Sequence, residues 1–138
     1  MQMRAFNAGD HASVLALAPR LQIGVAKWRD PSHVRAAVHS WVGSSVQRAG
    51  DPDSVVYVAD NGNTVGFVSV TEREHFTGEI DGYVGELVVD ESHAGAGVGR
   101  ALMAKAEEWA RQRGRARLIL EIGAQNTGAR SFYAALGL

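Results

Sequence analysis

The segment "GELVVDESHAGAGVGRALMAKAEEWARQRG", residues 85–114, is the most informative stretch of the chain. The apolar run "ELVV" precedes a loop with glycines at positions 95, 97 and 99, and a helical pattern follows from Val98 to Arg113. A helix that begins after a glycine-rich turn presents free backbone N–H groups and the positive end of its dipole, and both favour an anion. The segment therefore predicts a strand, an anion-binding loop suited to phosphate or pyrophosphate, and a helix.

Two common phosphate loops do not fit this spacing. A nucleoside-triphosphate loop needs a lysine and then Ser or Thr after its last glycine, whereas Arg100 and Ala101 follow Gly99. A dinucleotide loop needs G-x-G-x-x-G, but counting from Gly95 puts Arg100 at the third glycine, and this loop follows an antiparallel meander. A tight strand-to-helix turn without a ligand stays open as the alternative.

The composition excludes several classes of function. Fourteen basic and fifteen acidic residues leave a net charge of −1, which gives no electrostatic case for nucleic acid or an anionic membrane as partner. No cysteine is available for a disulfide, a thiolate metal site or a nucleophile. The five histidines lack metal-binding spacing, so we predict no metal site. With no signal-like start and no apolar run near the ~18 residues of a membrane span, the sequence predicts a cytoplasmic single domain over residues 1–138.

Hydrophobic periodicity predicts the element order β-α-α-β-β-β-α-β-α. The third element, a helix opened by Pro31, has an apolar stripe of Val34, Val38, Trp41 and Val42. We read the predicted strands and the last helix as "MQMRAF", "SVVYVAD", "TVGFVSVTERE", "YVGELVVD" from residue 83, the buried strand "ARLILEIG", and "NTGARSFYAALGL". This order is typical of a mixed α/β, α+β-like layered fold with an antiparallel front half.

Two blocks of the sequence, residues 85–114 and "AQNTGARSFYAALGL" at 124–138, resemble the GNAT family of acetyl-CoA-dependent N-acetyltransferases. The resemblance implies a three-layer fold whose central, mostly antiparallel sheet splays between the fourth and fifth strands and carries helices on both faces. The family chain normally continues past Leu-Gly into a further strand, whereas this sequence ends at Leu138. We therefore expect the final strand to be missing or supplied by a second protomer, because an open edge invites homodimer pairing.

The resemblance also implies where the coenzyme binds. Backbone amides of the glycine loop would cradle the pyrophosphate, and strand main-chain groups would hold the pantetheine arm. The coenzyme-binding residues implied in this way are Leu87, Val88, Val89, Gly95, Ala96, Gly97, Val98, Gly99, Arg100 and Asn126. Asn126 is equally explained as a helix N-cap. Ala94 stands where the family has Gln or Arg, and Ala96 is often basic in relatives, so we expect weaker binding with His93 and Arg100 assisting.

Acetyl transfer to an amine needs a neutral amine, a stabilised oxyanion and a proton for the leaving thiolate. The resemblance implies Tyr133 as the general acid, with an anchoring role for this aromatic residue as the alternative. Glu86 is the candidate base, because strand alternation places it on one face with Val84 and Val88, and an apolar surrounding raises the pKa of a carboxylate. A rim carboxylate that binds a cationic substrate is the alternative for Glu86.

The predicted function is acetyl transfer from acetyl-CoA to a primary amine of a small molecule or peptide, by direct attack in a ternary complex. In the family, the helical segment that here contains Trp28, His33 and Trp41 walls the acceptor pocket. Two other functions stay open. The chain would be a non-catalytic acyl-CoA-binding module if the loop binds without transfer, or an interaction protein if it binds no coenzyme.

Overall fold

The computed structural model describes residues 1–22, 25–121 and 127–137, and its central element is a sheet with helices on both faces. The helices and strands, in chain order, are β1 Gln2–Ala5, α1 His11–Leu17, α2 Pro31–Gln47, β2 Ser54–Asp60, β3 Thr64–Glu74, β4 Ile80–Val89, α3 Val98–Gln112, β5 Leu118–Leu120 and α4 Thr127–Ala135. The predicted element order is confirmed. The start of β4 was wrong by three residues, because Ile80, Asp81 and Gly82 already pair with β3. None of the described helices has the length and apolarity needed to cross a membrane.

The sheet follows the order β1-β2-β3-β4-β5. The first four strands are antiparallel neighbours, and β5 runs parallel to β4. Within the described ranges, β5 pairs with residues 82–84 alone, while β4 continues to Val89. The sheet is therefore open between these two strands, and the predicted splay is confirmed. The prediction that β5 is buried was wrong, because Ile119 is 36% exposed at this edge.

Two apolar cores, one on each face of the sheet, make the three layers. On the first face α1 and α2 cover Val56, Val58, Phe67 and Val88. On the second face α3 covers Val68, Val70 and Val84 together with Tyr133 from α4. Each face of a sheet buries alternate side chains of its strands, so the central strands β2 and β3 contribute to both cores.

Helix α2 sets the wall of the site described below. Its N-cap is Asp30, whose carboxylate accepts a hydrogen bond from the Ser32 amide at 2.8 Å. Pro31 occupies the first helical position. Its buried stripe is Val38, Val42 and Val46, spaced by four residues. Trp41, predicted to join that stripe, is 59% exposed, because adjacent helical positions point about 100° apart.

A β-bulge at Gly85 changes which residues of β4 share a face. Ser69 pairs with Glu86, but its neighbour Val70 pairs with Val84, so Gly85 is an extra residue in β4. Val84 consequently lies in the α3 core, whereas Glu86 faces α2. The prediction that Glu86 and Val84 share a face was therefore wrong. A side chain at Gly85 would clash, since its Cβ would lie 2.9 Å from Ser69 Oγ.

Candidate functional site

A cavity of about 820 Å³ lies between α2 and the open part of the sheet. Its walls come from the end of α2, the 3-10 turn Ala18–Gln22, strands β3 to β5 and α4. The lining side chains with polar or aromatic character include Arg20, Trp41, Ser45, Arg48, Ser69, Tyr83, Glu86, Glu121 and Tyr133. Glu86 and Tyr133, which are 47 positions apart in sequence, thus line one space.

Glu86 is a buried carboxylate held by two serine hydroxyls. Ser45 of α2 donates to its two oxygens at 3.0 and 2.8 Å, and Ser69 of β3 donates to Oε2. The Ser69 hydroxyl also accepts a hydrogen bond from the Glu86 amide at 2.9 Å. Burial raises the pKa of Glu86, and the hydroxyl hydrogen bonds and the charge of Arg48 offset part of that increase. The carboxylate therefore titrates closer to neutrality than an exposed glutamate.

Tyr133 reaches the same cavity from α4 and is only 8% exposed. Its ring lies edge-on to Phe132, with 5.1 Å between the ring centroids. Burial raises the pKa of the phenol, so the hydroxyl stays protonated at neutral pH. No hydrogen bond to this hydroxyl comes from any residue that the structure describes. It is a proton donor that has no partner in the described part of the chain.

The glycine loop turns into α3 through two residues with positive φ. Gly95 has φ of 78° and Gly97 has φ of 86°, and a Cβ at either position would meet nothing within 4 Å. Gly97 is the N-cap of α3 and provides no side-chain cap, so the amides of Val98, Gly99 and Arg100 find no acceptor among the described residues. The surface-exposed loop therefore offers several free N–H groups on one side, which fits a pyrophosphate.

Gly99 has a second role that its sequence position did not indicate. A Cβ on Gly99 would lie 3.1 Å from Cζ of Phe132, so the absence of a side chain lets α3 and α4 approach closely.

The two side chains expected to assist coenzyme binding differ in their surroundings. His93 is engaged by Asp90, Ser92 and Asn61 at 3.0 to 3.2 Å, whereas Arg100 is exposed beside the free amides.

The edge of β4 beyond residue 84 has no strand beside it among the described residues. Because main-chain groups alternate along a strand, those of Leu87 and Val89 face the opening, whereas those of Val88 face β3. The Val89 carbonyl already accepts a long hydrogen bond from Nε of Arg20, at 3.3 Å. Asn126, the other predicted coenzyme contact, lies outside the described residues.

The cavity residues that sequence reasoning missed include Arg20, Ser45, Arg48 and Ser69. Ser45 sits between the buried Val42 and Val46, and a serine there carries no motif. Ser69 lies in the apolar run of β3, where its polar side chain was the one available signal. The spacing of Trp41, Ser45 and Arg48 places all three on one side of α2. The sequence contains this pattern, but it does not show that Glu86 lies opposite that side.

The chain belongs to the Acetyltransferase (GNAT) family, whose model matches residues 22–138. It is 38% identical over 95 residues to an uncharacterized N-acetyltransferase of Methanocaldococcus jannaschii, an alignment that covers 63% of this chain and 39% of the relative. The chain thus spans well under half the length of that relative. The family assignment confirms the resemblance inferred from the glycine loop and the last helix.

Solved structures share the fold. An aminoglycoside antibiotic 6'-N-acetyltransferase from Acinetobacter haemolyticus is 17% identical with a TM-score of 0.77, covering 100% of this chain and 90% of that one. AAC(6')-Iy in complex with the bisubstrate analog CoA-S-monomethyl-acetylneamine is 19% identical with a TM-score of 0.74, covering 99% of this chain and 89% of that one. At such low identities these likenesses show the fold alone.

Proposed function

We propose that this chain transfers an acetyl group from acetyl-CoA to a primary amine by direct attack in a ternary complex. The observation that carries the proposal is that a buried carboxylate, Glu86, and a buried phenol, Tyr133, line one cavity at the open edge of β4. The family to which the chain belongs uses acetyl-CoA, and a structural neighbour holds a coenzyme A conjugate of an amine. Both facts support the same reaction here.

The glycine loop would hold the coenzyme through its backbone. The amides of Val98, Gly99 and Arg100 are free to donate to the pyrophosphate, and the dipole of α3 favours the same negative charge. Acetyl-CoA supplies the acetyl group as a thioester. Main-chain N–H groups at the unpaired edge of β4 are suited to orient the pantetheine arm and to polarise the thioester carbonyl.

Glu86 and Tyr133 would move the two protons of the reaction. Glu86 takes a proton from the incoming ammonium, and its raised pKa makes it a better match for that transfer than an ordinary glutamate. Ser45 and Ser69 fix the orientation of the carboxylate. Tyr133 donates a proton to the departing thiolate, since burial keeps its hydroxyl protonated. The second proton, which the attacking nitrogen loses as the amide forms, restores the phenol.

The test is thiol release with acetyl-CoA and a panel of primary amines. Removing the phenol in Tyr133→Phe should lower kcat by about 10²-fold or more, the usual scale of general acid catalysis. Tyr57→Phe is the matched control, because Tyr57 is a partly buried tyrosine that packs on the α3 core and does not line the cavity. Equal kcat values for wild type and Tyr133→Phe would remove Tyr133 from the mechanism.

A non-catalytic acyl-CoA-binding module is the second candidate, because the exposed Ala94 and Ala96 contribute no cationic side chain at their positions in the loop. Calorimetry with coenzyme A separates the two candidates. Binding together with amine-dependent thiol release supports the transferase. Binding without release from any amine supports the module, and the absence of both would contradict the two candidates together.

A further inference from the structure

Two arginines line the cavity without an ion pair to any carboxylate among the described residues. Arg48 is the C-cap of α2, and its charge partly offsets the burial that raises the pKa of Glu86. Arg20 is half-buried and is anchored through Nε to the Val89 carbonyl, so its terminal nitrogens remain available. Residues 23–24, 122–126 and 138 contain no Asp or Glu, so every acidic side chain of the chain lies within the described ranges.

The acidic side chains of the cavity are already engaged. Glu86 accepts hydrogen bonds from two serine hydroxyls, and Glu121 lies 3.6 Å from Arg73. The lining therefore combines two carboxylates that already accept hydrogen bonds or an ion pair with two guanidinium groups that form no ion pair with a described carboxylate. An acceptor that carries its own anion would engage these guanidinium donors, whereas a polycation would bring no group that does.

We infer that the acceptor is an amine that also carries an anionic oxygen group, bound with its ammonium at Glu86 and its anion at Arg48. This inference rests on the proposed function. Arg48 follows Ser45, the partner of Glu86, by three residues, a rise of about 4.5 Å along α2. Glu86 and Arg48 also line the same cavity, and this arrangement suits an amino acid or a short peptide. The exposed ring of Trp41, one turn before Ser45, offers an apolar wall for its side chain.

Guanidinium is well suited to this role, because its donors match the two oxygens of a carboxylate or a phosphate. Arg20 would add a second donor from the 3-10 turn beside α2. The anionic group of the acceptor is either a carboxylate or a phosphate, and four amines distinguish the two. They are alanyl-alanine, alanyl-alaninamide, phosphoethanolamine and the polycation spermidine. The dipeptide and its amide differ by one carboxylate, so their comparison isolates the anion.

Initial rates with acetyl-CoA and the full chain test the inference. We expect kcat/KM for alanyl-alanine to exceed that for alanyl-alaninamide by about tenfold, the scale of one hydrogen bond to a charged group. Arg48→Gln should raise KM for the dipeptide about tenfold and change KM for the amide less than about twofold. Arg48→Lys should retain part of the preference. Arg111→Gln, an exposed arginine outside the cavity, is the matched control.

A phosphoethanolamine preference that disappears in Arg48→Gln supports the inference with phosphate as the anion. Equal rates for dipeptide and amide, a preference for spermidine, or an equal loss for all acceptors in Arg48→Gln would overturn it. Calorimetry of alanyl-alanine on the coenzyme A-bound protein separates this inference from the proposed function. Dipeptide binding that is lost in Arg48→Gln, without any acetylation, rejects the transferase and keeps anion recognition. No dipeptide binding overturns the inference.

Discussion

Replacing Gly85 by alanine should disrupt the support of Glu86 through a single contact. The added Cβ would lie 2.9 Å from Ser69 Oγ, and the next nearest atom, the Ser69 carbonyl oxygen, is 3.9 Å away. The serine hydroxyl must therefore turn aside, which breaks its hydrogen bonds with the Glu86 amide and carboxylate. One neutral and one charged hydrogen bond together correspond to about 2–4 kcal/mol of unfolding free energy.

Ser69→Ala removes the same two hydrogen bonds and also removes the atom that clashes. The double variant should therefore cost about as much as either single variant, so that the coupling free energy is about 2–4 kcal/mol. Urea unfolding measures the three free energies, with an unchanged m-value as the check on compactness. Additivity within about 0.5 kcal/mol would refute the contact between Gly85 and Ser69 as the cause.

Four further predictions concern the glycine loop and Glu86. Gly97→Ala should weaken coenzyme A binding about tenfold by calorimetry, because a side chain at φ of 86° costs about 1–2 kcal/mol. Gly99→Ala should lower the unfolding free energy by about 1–3 kcal/mol, because its added Cβ would press against Phe132. Unchanged values would contradict both. Ala94→Arg should tighten coenzyme A binding about fivefold, because a guanidinium joins the amides, and equal affinity would count against the cradle. Burial raises the pKa of Glu86 above its ordinary 4.5, so its contribution to stability is complete below that value and is lost as pH rises through the folded pKa. Relative to Glu86→Gln, the wild type should therefore lose unfolding free energy from pH 4 to pH 8, and a constant difference in urea unfolding would contradict this.

The helices and strands could be predicted from the sequence because the signals that define them are local. The local signals include the tight turn between β2 and β3, where Gly62 has φ of 105°, the cap at Asp30 and the glycine-rich start of α3. Each acts within a few residues. The splay between β4 and β5 followed from the resemblance alone, because the strand residues carry no mark of where pairing stops.

The environment of Glu86 could not be predicted, since it depends on residues far away in the chain. Strand alternation placed Glu86 beside Val84, but the bulge arises from how β4 meets Ser69, 17 positions earlier. Ser45 is 41 positions away on α2, in a helix whose apolar stripe predicted packing only. Trp41 was assigned to that stripe because it is next to Val42, and a period of 3.6 residues does not distinguish adjacent helical positions sharply.

The contact between Gly99 and Phe132 has a consequence for how this protein can diverge. It joins the helix that begins at the glycine loop to the helix that carries Tyr133, so a shift of either helix would displace the other. The wall made by α2 and the turn at Arg20, which we propose faces the acceptor, belongs to the other layer of the molecule. Under the proposed function, substitutions in that wall would change which amine binds without altering the contact between the glycine loop and the helix of Tyr133. In evolutionary terms, the second layer would then be the part of the molecule that is free to diverge.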